Sequence, residues 1–199
     1  MQLDTLLFFI FSVSLLTLSP GPDIMYVFLK SISDGKREAI ELSLGLTSGL
    51  LFHTMLVVFG ISAILNSNDL YYDIIKYFGF FYFLILSLLS ILKKNNFKKK
   101  KNISKNNFIT GFLMNVLNPK VSIFFIAFLP GFIFHDTMHI KLQFLTLGLI
   151  FWIISTIVFV LISISSEIFR PKLNKLINSK NLKYIQSLIY FLIAFYIVS

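Results

Sequence analysis

Apolar residues dominate six stretches of the chain, separated by short polar ones: Leu3 to Leu29, Ile40 to Leu65, Leu70 to Leu92, Phe108 to Phe134, Leu142 to Ser166 and Leu182 to Ser199. At ~1.5 Å of rise per residue the first five reach about 35 to 40 Å as helices, against about 30 Å of hydrocarbon in a bilayer. The sixth, at 18 residues, is marginal. The pattern predicts an all-α integral membrane protein with six transmembrane helices in a single domain, residues 1–199.

Two of these stretches are interrupted. Leu18-Ser19-Pro20-Gly21-Pro22-Asp23 breaks the first, and Asn115-Val116-Leu117-Asn118-Pro119-Lys120 breaks the fourth. Proline removes a backbone donor, and charge in hydrocarbon is costly. Such features are tolerated where they face protein or a water-filled cavity, which makes them functional candidates. Helices 1 and 4 are therefore predicted to be interrupted at proline. The spans divide into two sets of three, 1–92 and 108–199, joined by a lysine-rich loop at 93–107. An odd number of spans per unit inserts a duplicated unit upside down, so the prediction is two inverted three-helix repeats whose breaks meet near the midplane.

Composition supports the membrane assignment. The chain is 56% hydrophobic and 14% charged, with a mean hydropathy of +0.82. The net charge of +9 raises the question of nucleic acid, but its distribution answers it. Lys and Arg concentrate in the first, third and fifth connections, fifteen against Lys141 alone in the second and fourth. The positive-inside rule then places those three connections in the cytoplasm and both termini outside. The lysine loop is read as topogenic and in contact with anionic lipid headgroups, with no nucleic-acid partner. The first stretch lacks a basic n-region and a small-residue cleavage site, so it is expected to stay in the mature protein. No cysteine is present, which excludes thiolate chemistry. Neither a Walker-type motif nor GxGxxG occurs, so no cofactor or ATP-driven step is expected of this chain alone.

Several polar residues could carry chemistry. Asp23 is a candidate for binding an ammonium or a proton; alternatively Asp23 or Ser19 caps the helix restarting after Pro22. Lys120 is too deep to snorkel comfortably; it either shares a site with Asp23 or is held by carbonyls freed at Pro119. Asn115 and Asn118 either bind a substrate or bridge helices. His53 is a second proton-coupling candidate or a structural core histidine. Gly45 and Gly49 form a small-xxx-small pair that permits close helix contact and allows a helix-mediated homodimer. His135 and His139 flank Asp136 with metal-like spacing, but chance is the better reading, and no metal site is expected. Trp152 either lines a cavity or faces lipid.

The runs Ser19-Pro20-Gly21-Pro22-Asp23, Asp34-Gly35-Lys36-Arg37-Glu38 and Gly45-Leu46-Thr47-Ser48-Gly49 resemble the amino-terminal signature of the LysE/RhtB superfamily of amino-acid exporters. Gly111 to Lys120, continuing Phe124 to Pro130, resembles its second signature, so the resemblance covers essentially the whole chain. Gly131 departs from it, standing where members often carry glutamine. The resemblance implies a LysE family translocator, a bacterial cytoplasmic-membrane exporter of amino acids or small zwitterions driven by the proton gradient, and not an enzyme. In that scheme the substrate site comprises Pro20, Gly21, Pro22, Asp23, Asn115, Asn118, Pro119 and Lys120, with Asp23 and His53 as proton-coupling candidates. A passive channel or metal-ion permease, and a non-transporting membrane assembly subunit, are the alternatives from other classes.

Overall fold

The computed structural model describes residues 3–19, 21–62, 69–92, 106–166 and 181–198. Pro20, the lysine-rich connection and most of the fifth connection lie outside the described residues. Within them the secondary structure is helical, without strand.

Helices α1 (Leu3–Leu18) and α2 (Pro22–Asp34) form the first interrupted span and bend by 55° at the break. Helix α3 (Lys36–Ile61) follows, its last turn widened to i→i+5 bonding over Val57–Ile61, and then α4 (Asp69–Leu92). Helices α5 (Asn107–Val116) and α6 (Pro119–Phe132) form the second interrupted span, bent by 51°. Helices α7 (Ile140–Ser165) and α8 (Leu182–Val198) complete the described chain. By length and composition α3, α4 and α7 suit a membrane crossing, and the two bent pairs bring the number to five if each is one span. The expected sixth, α8, is shorter than that length among the described residues.

The first connection differs from its expected position. Lys30, placed outside the first span by sequence, is buried in α2 and paired with Asp34 one turn on. Helix α2 continues past Leu29 to Asp34, so α2 and α3 are separated by Gly35 alone. Gly35 has φ +104°, a conformation strained for any side chain, and its N–H donates to the Ser31 carbonyl. The end of α6 is irregular as well. After Pro119–Ile123 it widens over Phe124–Phe128 and tightens to a 3-10 turn over Leu129–Phe132, where Pro130 has no N–H to donate.

Small residues bring the helices together. A Cβ on Gly45 of α3 would sit 2.0 Å from the Phe108 carbonyl oxygen, and one on Gly111 of α5 would sit 2.1 Å from that of Leu42. The Gly45–Gly49 face, expected to allow a dimer, is thus covered by α5 of the same chain. Gly148 of α7 lies against Thr54 of α3, and Gly79 of α4 against Ala127 of α6. Helices α4 and α8 pack together, joined by Ser87 and Ser187 at 2.9 Å. The core is largely aromatic: Phe9, Phe83, Phe124, Phe125, Phe128 and Phe132 are each no more than 1% exposed.

Candidate functional site

Both interruptions open onto one cavity of about 40 Å³, lined by Thr17, Ser19, Gly21, Asp23, Asn115, Lys120 and Ser155 with apolar neighbours including Leu50, Phe151 and Phe159. Each break follows from local sequence. Helix α1 stops at Leu18, and α2 starts with Pro22 at a position where its missing N–H is not needed. Gly21 precedes it in an extended conformation (φ −142°, ψ 177°), with no side-chain hydrogen bond to the helix end. In the second break Asn118 takes that role: its Oδ1 accepts from the Lys120 N–H at 3.1 Å, with Pro119 at the first helical position.

Asp23 lies in the first turn of α2, where the helix dipole favours an anion. It is 8% exposed, and its Oδ2 accepts from Asn118 Nδ2 at 2.9 Å. One asparagine therefore caps α6 and bridges to the carboxylate of the opposite break. Gly21 holds the N-cap position of α2, and Ser19 Oγ makes no hydrogen bond to its freed N–H groups among the described residues. Lys120 extends from the same turn into the cavity, with its Nζ 3.5 Å from where a Gly21 Cβ would stand.

Two polar atoms lining this cavity are buried without a hydrogen-bond partner among the described residues, Ser19 Oγ and Asn115 Oδ1. Asn115 packs flat on Gly49, where a Cβ would come within 2.5 Å of that oxygen. Buried polar atoms are normally satisfied, so these two give the cavity lining free hydrogen-bonding capacity among the described residues. Thr17 Oγ1 and Ser155 Oγ, which also line the cavity, pair at 3.0 Å between α1 and α7.

Of the residues singled out by sequence, Gly21, Asp23, Asn115 and Lys120 line the cavity. Asn118 reaches it through Asp23. Pro22 and Pro119 are exposed and serve to shape the breaks, while Pro20 lies outside the described residues. His53 stands one residue behind the wall. Its Nε2 donates to the Asn115 carbonyl at 3.4 Å, which assigns the proton to that nitrogen, and its ring is 5.6 Å from that of Phe125. Thr17 and Ser155 were missed, because an isolated hydroxyl in an apolar helix carries no sequence signal of its own. His139 accepts from the Lys141 N–H and caps α7, and His135 Nδ1 accepts from the N–H groups of Thr137 and Met138, so both histidines are engaged in loop structure. Trp152 is half-buried and outside the cavity lining.

At about 40 Å³ the cavity has room for water and is far smaller than the roughly 300 Å³ or more that ligand pockets usually offer.

A family model described as LysE type translocator matches residues 14–199. An uncharacterized membrane protein, YrhP of Bacillus subtilis (strain 168), is 27% identical over 168 residues, covering 75% of this chain and 80% of that protein. A homoserine/homoserine lactone efflux protein of Salmonella typhimurium (strain LT2) is 27% identical over 145 residues, covering 70% of this chain and 69% of that protein. No solved structure matches the chain.

Proposed function

Since this chain belongs to the LysE type translocator family, whose members are membrane transporters and not enzymes, we propose that it exports amino acids or related small zwitterions across the bacterial cytoplasmic membrane by proton antiport. The observation that carries this reading is the shared cavity: an anion from one broken span and a cation from the other face the same small space. A zwitterion is complementary to such a pair. Asp23 receives the ammonium, and Lys120, with Asn115, receives the carboxylate. Asn118 holds Asp23 in place, and Pro22 and Pro119 keep the breaks open.

Alternating access is the motion that fits. Bent helix pairs on both sides of a cavity too small for the solute can rock apart toward one membrane face and then the other. The pairing of helices supports two inverted three-helix repeats: α3 packs on α7, α4 on α8, and each broken span lies against the middle helix of the other half. Cytoplasmic lysine-rich connections and external termini follow from the charge distribution. His53, behind Asn115, is the secondary proton-relay candidate beside Asp23. A homodimer, if formed, uses a face other than the one carrying Gly45 and Gly49.

The name of the Salmonella relative makes homoserine the first solute to test. Cells loaded with amino acids through dipeptides, and with homoserine directly, are expected to lose them faster when they contain the protein, and an uncoupler is expected to abolish uphill export. Downhill flux that survives the uncoupler identifies a passive channel instead. Asp23→Asn is expected to abolish export while the protein still reaches the membrane; export at the parent rate removes Asp23 from the mechanism.

A further inference from the structure

Building on the assignment of Lys120 to the substrate carboxylate, we propose that Tyr190 of α8 is a positioning residue that holds the Lys120 ammonium ready for that group. Lys120 Nζ lies 5.8 Å from the centre of the Tyr190 ring, within the reach of cation–π attraction. Gly21 is also close to the ammonium, which lies 3.5 Å from where a Gly21 Cβ would stand. The ring is 3% exposed and is fixed from two further directions. Phe83 of α4 flanks it at 6.1 Å between centroids, and Gln186, one turn back on α8, donates from Nε2 to the Tyr190 hydroxyl at 3.0 Å.

The choice of an aromatic partner has a functional consequence. A carboxylate paired directly with Lys120 would compete with the carboxylate of the solute for the same ammonium; Asp23 lines the same cavity, but its Oδ2 is bonded to Asn118. An aromatic face stabilises the cation without occupying its hydrogen-bonding donors, so they stay free for a ligand. Lysine also has a long, flexible stem, and restraining it beforehand reduces the entropy lost when a carboxylate docks. By this account α8 acts on the site through Lys120, although no α8 residue lines the cavity among the described residues.

The test uses the full chain in proteoliposomes and the best-transported solute from a panel of the common amino acids plus homoserine. The amide of that solute, which keeps the ammonium and lacks the carboxylate, serves as a competitor. Tyr190→Leu is expected to raise KM roughly 3- to 30-fold, the range of a desolvated cation–π contact, and to leave the inhibition constant of the amide unchanged. Tyr190→Phe is expected to stay close to the parent. If Tyr190→Leu does not accumulate, Tyr190→Met, which fills more of the ring volume, is read in the same way. An unchanged KM overturns the proposal, and so do a parallel rise in KM and amide inhibition constant and a phenylalanine variant as impaired as the leucine one. Lys120→Gln separates the two levels. If its KM rises while the Tyr190 variants match the parent, only the role of Tyr190 falls. If Lys120→Gln has no effect, or the parent moves none of the panel, the underlying site assignment falls and takes this proposal with it.

Discussion

Thr17 and Ser155 lie 138 positions apart in sequence and share one hydrogen bond on the cavity wall. Removing one partner takes this bond from the other, which is buried. Thr17→Val or Ser155→Ala alone is expected to cost about 1–3 kcal/mol, whereas the double variant, which removes both polar groups, is expected to fall short of the sum. Thermal unfolding of all four proteins in detergent checks this, and additive losses would refute the pairing. Sequence could not reveal the pair, because hydroxyls in apolar helices are easily accommodated by their own backbone. Ser14, Ser48 and Thr146 do this by donating to carbonyls four residues back. Asp23 and Asn118 were legible for the opposite reason. A carboxylate in hydrocarbon has no cheap local solution, and asparagine before proline is a natural helix start.

At the scale of the helix, the Gly45–Gly49 pair was legible as a contact face, but its partner was not. Because a Cβ at Gly45 or Gly111 meets backbone rather than a flexible side chain, the neighbouring helix has to move. Gly45→Ala and Gly111→Ala are each expected to destabilise by about 1–3 kcal/mol, a typical cost of overpacking. Gly60→Ala is the control, since a Cβ there meets nothing within 4 Å among the described residues. Comparison of melting temperatures checks the prediction, and equal values for the three would show that the α3–α5 seam is not tight. The break positions were readable because proline and glycine act through their own backbone. The length of α2 was not, because the apolar run ends at Leu29 while the helix itself continues to Asp34.

For the whole molecule, burial is graded from centre to rim: 56% of the apolar window of α3 is buried inside the chain, against 17% for α4. Helix α3 lies beside the cavity, and most of the α4 surface is left uncovered by the rest of the described chain. The absence of native cysteine allows single sites to be labelled without background. Ser155→Cys, on the cavity wall, is expected to react slowly with a membrane-impermeant thiol reagent in the empty carrier and at a different rate with saturating substrate, as the walls separate. A rate that is high and independent of substrate would indicate a permanently open path. By itself the sequence determined the membrane setting, the places where two helices break and the charged residues within them. Each of those follows from a residue's own cost in hydrocarbon or its own backbone. Only the tertiary structure decided that Asn118 meets Asp23 across 95 positions, that α5 covers the glycine face, and that Tyr190 stands over Lys120. Such contacts depend on the bend angles and packing distances of several helices at once, and no local pattern encodes them.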